Sequence, residues 1–81
     1  MATVLLFGRL ADVAGWRTQA IDPLPDTLAA LKAQLATADP ALGEALSGPG
    51  VQAAVDKALV RGDCALTAVS EVAFLPPMSG G

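Results

Sequence analysis

The chain has 81 residues, 53% of them hydrophobic and only 16% charged, with eight acidic against five basic side chains and a net charge of −3. That length supports one domain around a single small core, and the cations Arg9, Arg17, Lys32, Lys57 and Arg61 are too scattered to form a nucleic-acid footprint. Ordinary soluble domains carry about 25% charged residues, so the shortfall points to an apolar patch that a partner covers, with alanine content as the plainer explanation.

Thr3-Val4-Leu5-Leu6-Phe7 is a continuous β-favouring run, the pattern of a central strand covered on both faces. After Gly8, residues 10–14 predict a short helical turn stopped by Gly15. Residues 16–21 alternate, which predicts a strand antiparallel to the first, and Asp22-Pro23-Leu24-Pro25 breaks the pattern. A helix follows, capped by Asp26 or Thr27, with Leu28, Leu31 and Leu35 on one stripe. It ends before Asp39-Pro40, because proline lacks an N–H and disfavours helix in the residue before it. Asp39 can itself cap a shorter helix, with Pro40 in its first position and Leu42 and Leu46 facing inward. Gly48-Pro49-Gly50 reads as a turn, residues 51–55 and 58–60 as a hairpin about Asp56-Lys57, and Arg61-Gly62-Asp63 as another turn. A polar-edged connection through Thr67 and Ser70 leads to a second strong strand, Glu71–Leu75. The two most apolar strands lie at opposite ends of the chain, and the economical arrangement sets them side by side at the sheet centre. The fold class is therefore α+β, a roll with a mixed sheet of about five strands and one main helix packed across it.

Cys64 is the single cysteine and histidine is absent, so no internal disulfide can form and a reducing compartment is expected. Met1-Ala2-Thr3 lacks the lead of a signal peptide, and no apolar run approaches the ~20 residues of a membrane span. The expected location is the cytoplasm, with no membrane partner. With nothing beside it in the sequence to activate its thiol, Cys64 reads as small apolar filler near a turn. Packing or a surface lid accounts for Trp16, and the dispersed carboxylates support neither a metal site nor a catalytic triad.

Beyond the last strand come Pro76-Pro77-Met78-Ser79-Gly80-Gly81. Neither terminal glycine has a Cβ, so this end makes a thread that fits a channel too narrow for other residues. Pro76 and Pro77 hold an extended stem. Ordering one backbone residue costs about 1–2 kcal/mol, so pre-setting two of them eases insertion of a short tail. Residues 1–75 are expected to form the domain and residues 76–81 a flexible tail, with the Gly81 carboxylate at its working tip.

Val4-Leu5-Leu6-Phe7-Gly8-Arg9-Leu10, Ala53-Ala54-Val55-Asp56 and, above all, Glu71-Val72-Ala73-Phe74-Leu75 with the tail resemble the small subunits of molybdopterin synthase, β-grasp sulfur carriers related to ubiquitin. The resemblance spans essentially the whole chain. It is narrowest at the close: a strand running into Pro-Pro, one apolar residue, Ser or Thr, then Gly-Gly. It departs at Thr67-Ala68-Val69-Ser70, where the family has an Asp-Gly turn, and at Asp56, where asparagine is common. A carboxylate cannot donate the hydrogen bonds of an amide, so a different wiring is expected there.

The resemblance implies a ubiquitin-like β-grasp fold, no bound cofactor and no active site of the chain's own. It implies that an activating enzyme uses ATP to convert the Gly81 carboxylate into an acyl-adenylate, and that sulfur from a donor protein displaces AMP to leave a thiocarboxylate. The loaded tail then enters the large synthase subunit, in an expected heterotetramer, and gives its sulfur to a cyclic pterin phosphate on the way to the molybdenum cofactor. Gly81 carries adenylate and then sulfur, Gly80 gives clearance, and Met78 and Ser79 line the thread on the Pro76-Pro77 stem. Phe7, Phe74 and Leu75 are candidates for the docking contact. Phe7 and Phe74 read better as plain core, and strand alternation sets Leu75 opposite Phe74, which favours Leu75. Alternatives sharing the same end are a carrier for thiamine thiazole synthesis or tRNA thiolation, and a ubiquitin-like modifier joined to lysines through Gly81.

Overall fold

The computed structural model describes residues 2–66 and 71–77 of the chain. In chain order the elements are β1 (Ala2–Leu6), α1 (Arg9–Ala14), β2 (Thr18–Ile21), α2 (Leu28–Ala38), α3 (Pro40–Leu46), β3 (Gln52–Val55), β4 (Ala58–Val60) and β5 (Glu71–Leu75). Among the described residues the strands form one sheet in the order β2-β1-β5-β3-β4. The two apolar end strands do pair at its centre. β1 and β5 run parallel, with Val4 opposite Val72 and Leu6 opposite Phe74. β2 and β3 flank them antiparallel, and the β3–β4 hairpin forms the far edge. Residues 16 and 17 precede β2 instead of opening it: Trp16 packs against the core, and the Arg17 carbonyl accepts from the Leu6 N–H at 2.9 Å.

Side chains alternate along a strand, and here one face carries the core. Val4, Leu6, Val72, Phe74 and Ala53 from the sheet join Leu10, Leu28, Leu31, Leu35, Leu42 and Leu46 from the helices in one buried cluster. β1 is not covered on both faces as its apolar run predicts. Ala2, Val4 and Leu6 are buried, while Thr3 and Leu5 between them are only half-buried. The second face of the sheet is open at its edges, where Thr18, Ala20 and Leu59 are exposed, while Ala73 and Ala54 at its centre are small and buried.

Helix α2 is held at its start from two directions. An α-helix leaves its first N–H groups without internal partners. Here the Leu28 N–H donates to the Cys64 carbonyl at 2.9 Å, Ala29 N–H to Asp63 Oδ1 at 2.8 Å, and Ala30 N–H to Thr27 Oγ1 at 3.1 Å. Thr27 is thus the N-cap. The turn at residues 61–63 supplies a second cap from far along the chain, bolted down by the Leu66 N–H donating to the Asp26 carbonyl at 2.8 Å. Asp39 serves two helices. It ends α2, its N–H donating to the Leu35 carbonyl, and its Oδ1 accepts from the Leu42 N–H at 3.3 Å to start α3. The two helices meet at Gly43, where a Cβ would stand 2.4 Å from the Ala36 Cβ. Among the described residues, no helix is long and apolar enough to cross a membrane.

Candidate functional site: the root of the tail and the open sheet face

β5 leaves the centre of the sheet and passes directly into Pro76 and Pro77. The ladder holds to its end: the Phe7 N–H donates to the Phe74 carbonyl at 3.3 Å, and Gln52 pairs with Leu75. Two loops then meet the prolines. Gly8, between β1 and α1, faces Pro76, and a Cβ there would lie 3.0 Å from Pro76 Cγ. Gly50, between α3 and β3, faces Pro77, and a Cβ there would lie 2.8 Å from Pro77 Cβ. Both glycines take left-handed φ values, 54° and 82°. Alongside runs a groove of about 510 Å³ lined by Arg9, Glu44, Ala45, Pro49, Pro76 and Pro77 among others. The expected tail residues Met78, Ser79, Gly80 and Gly81 lie outside the described residues, as does the departure at Thr67-Ala68-Val69-Ser70.

The strand register assembles an apolar row across the open face. Leu5 stands opposite Ala73, Ala73 opposite Ala54, and Ala54 opposite Leu59. Leu59 is 61% exposed and Phe7 45% exposed, while Leu75 is half-buried. Phe7 and Leu75 extend this face toward the tail, each two residues beyond a member of the row. Phe74 does not belong to it. Its side chain is fully enclosed in the core, because the residue after Ala73 points to the opposite side of the sheet, so Phe74 offers no docking surface. Phe7, in contrast, is not core. Leu59 was not among the expected contacts; the signal for it was a leucine in a three-residue strand, between an alanine and a valine in the hairpin.

The two remaining expectations on this side concern Asp56 and Cys64. Asp56 and Lys57 both take positive φ, 47° and 71°, which makes the hairpin turn of the type that suits strand twist. The Asp56 N–H donates to the Glu71 carbonyl at 2.9 Å, and Asp56 Oδ1 accepts from the Glu71 N–H at 3.0 Å. The side chain is thus used as an acceptor toward Glu71, a task a carboxylate performs, and this pins the turn to the start of β5. Cys64 is a free, half-buried thiol packed against the core. Its N–H donates to Asp63 Oδ1 at 2.9 Å.

The strand that leads into Pro76 and Pro77 also contributes Ala73 to the apolar row. The family model described as the ThiS family matches residues 4–81. Curated proteins give no significant match. Among solved structures, the crystal structure of SAMP1 from Haloferax volcanii is similar to this chain, with 31% sequence identity and a TM-score of 0.81 over 99% of this chain and 98% of that one. That likeness identifies the mixed sheet and its helices as the ubiquitin-like β-grasp fold. Since the family match runs from β1 through residue 81, the chain belongs to the ThiS family of ubiquitin-like sulfur carriers and modifiers.

Proposed function

We propose that this chain is the sulfur-donating small subunit of a molybdopterin synthase. The observation that carries the reading is the path of β5, which runs from the sheet centre along the apolar face into the Pro76-Pro77 stem. A carboxylate resists nucleophilic attack, so its conversion to a thiocarboxylate needs prior activation. An activating enzyme joins the Gly81 carboxylate to AMP from ATP and releases pyrophosphate. Sulfide then adds to the acyl carbon and AMP leaves with one former carboxylate oxygen, which puts sulfur in its place. Where a donor persulfide adds instead, a second thiol cleaves the acyl disulfide, releasing the thiocarboxylate and forming a disulfide with the donor. The resulting thiocarboxylate is a soft nucleophile for the same reason that thiolates react well at neutral pH. In the large subunit its sulfur attacks a side-chain carbon of the cyclic pterin phosphate, forming a carbon–sulfur bond as a carbon–oxygen bond there breaks. Hydrolysis of the acyl–sulfur bond leaves the sulfur on the pterin and returns Gly81 to the carboxylate, so a dithiolene consumes two loaded chains.

Family membership supports a carrier or modifier, and the run Phe74-Leu75-Pro76-Pro77-Met78-Ser79-Gly80-Gly81 favours the molybdopterin pathway within that class. Phe7, Leu75 and Leu59 are the proposed contacts with the large subunit, and the remaining partners are the activating enzyme and a sulfur donor protein. The test is fragment mass spectrometry of the chain after incubation with the activating enzyme, ATP and a sulfur source. Sulfur for oxygen adds nearly the mass of one oxygen, so the change must map to Gly81 and not to an oxidised Met78 or Cys64. The loaded chain should then convert precursor with the large subunit. Sulfur delivered only to a thiazole synthase or a tRNA would move the chain to another pathway, and isopeptide ladders on lysines would make it a modifier. Adding one residue after Gly81 should abolish transfer; retained cofactor synthesis would rule the mechanism out.

A further inference from the structure

We propose that Gly8 and Gly50 form a two-point seat that fixes the direction in which the chain leaves β5, so that the body of the domain, and not the prolines alone, aims the tail. What that aim serves rests on the carrier reading above. Gly8 and Gly50 belong to loops far apart in the sequence, yet they bear on consecutive residues of the stem, Pro76 and Pro77. At Gly50 a Cβ would come within 2.8 Å of Pro77 Cβ and 3.6 Å of Pro77 Cα. Those atoms belong to a ring fused to the backbone, so no rotamer change can clear them, and the stem itself must shift. At Gly8 the nearest atom is Pro76 Cγ at 3.0 Å, which ring pucker can partly relieve, so Gly50 is the stricter point. Gly15 supplies the internal contrast. Its φ is +81°, almost that of Gly50, but nothing lies within 4 Å of the position a Cβ would take. Glycine at 15 answers only to conformation; glycine at 50 answers to conformation and to the stem. A thread entering a narrow channel depends on where it starts, and a misplacement of about 1 Å at a reacting centre can cost about a hundredfold in rate.

The experiment compares Gly50→Ala, Gly15→Ala, Pro77→Gly and the double variant Gly50→Ala/Pro77→Gly. The stem is read by the carbon chemical shifts of Pro76 and, where present, Pro77, and function by ATP-dependent adenylation with the activating enzyme. Alanine at 15 and at 50 meets nearly the same positive φ. Gly15→Ala should leave the proline shifts and the adenylation rate near those of the parent chain. Gly50→Ala should move the shifts and slow adenylation by about tenfold or more. Removing the Pro77 Cβ should rescue the double variant to the level of Pro77→Gly alone. Equal stem shifts in Gly15→Ala and Gly50→Ala, strictly additive effects in the double variant, or moved shifts with unchanged adenylation would each overturn the proposal. If Gly50→Ala does not fold, recovery of its unfolding transition on adding Pro77→Gly decides the matter, and no recovery overturns it. A parent chain that is never adenylated defeats the carrier reading instead, and the proline shifts still report on the seat.

Discussion

Asp63 fastens helix α2 through two backbone amides, and one of them lies 34 positions earlier in the chain. Asp63→Ala should lower stability by about 1–2 kcal/mol, the usual cost of a lost cap, and Asp63→Asn by less, as urea denaturation will show. The sequence marks residues 61–63 as a turn, but nothing local in it announces a partner so distant. Asp39 is the opposite case. Its partners Leu35 and Leu42 are four and three residues away, and both of its tasks were legible beforehand. Gly43 hides its reason in the same way as Asp63, since the atom that excludes a side chain there belongs to Ala36 on the other helix. Alanine in a helix interior is favoured over glycine by about 1 kcal/mol, whereas crowding a packed contact costs about 1–3 kcal/mol. Gly43→Ala should therefore be net destabilising and lower Tm in a thermal scan; a higher Tm would show that α2 and α3 separate freely. Cys64→Ser should still accept and deliver sulfur, because the backbone atoms of Cys64 make the helix contacts and the thiol makes none of the proposed chemistry. Loss of transfer in that variant would shift the chemistry to the thiol.

Among the elements, β1 and β5 decide which aromatic does what. A run such as Thr3-Val4-Leu5-Leu6-Phe7 signals a strand but conceals its parity, since every position but the first is apolar. Pairing settles it. Leu6 lies opposite Phe74 on the core side, which turns Phe7 and Leu75 outward. The two phenylalanines should consequently fail in different assays. Phe74→Ala removes a fully buried ring and should cost about 3–5 kcal/mol of stability. Phe7→Ala and Leu59→Asp should keep stability within about 0.5 kcal/mol. The same two changes should weaken binding to the large synthase subunit by about 2 kcal/mol each, roughly thirtyfold in Kd, if these residues anchor the docking contact. Titration calorimetry beside urea denaturation separates the outcomes. Unchanged affinity in both surface variants would place the docking face elsewhere.

At the scale of the molecule, the low charge content has two sources. Among the described residues the two exposed large hydrophobics, Phe7 and Leu59, lie on the open side of the sheet, while exposed alanines such as Ala29, Ala30, Ala33 and Ala38 on α2 supply the rest of the apolar surplus. Composition could not separate the two, because placing Phe7 and Leu59 on one side of the sheet required the strand order. The architecture was legible for the converse reason: helix stripes, caps and turn residues are local signals, and two strongly apolar strands leave few ways to cover them. The central position of β5 has a consequence for biosynthesis. This strand fills the slot between β1 and β3, and it follows the other described strands in chain order. A chain stopped after residue 70 should lack a cooperative unfolding transition by circular dichroism, because both central pairings are missing. On the ribosome the sheet must wait for its keystone. A product terminated before this strand should therefore stay unstructured and open to proteases, and on the proposed reading only a molecule that has threaded β5 home presents its tail to a partner.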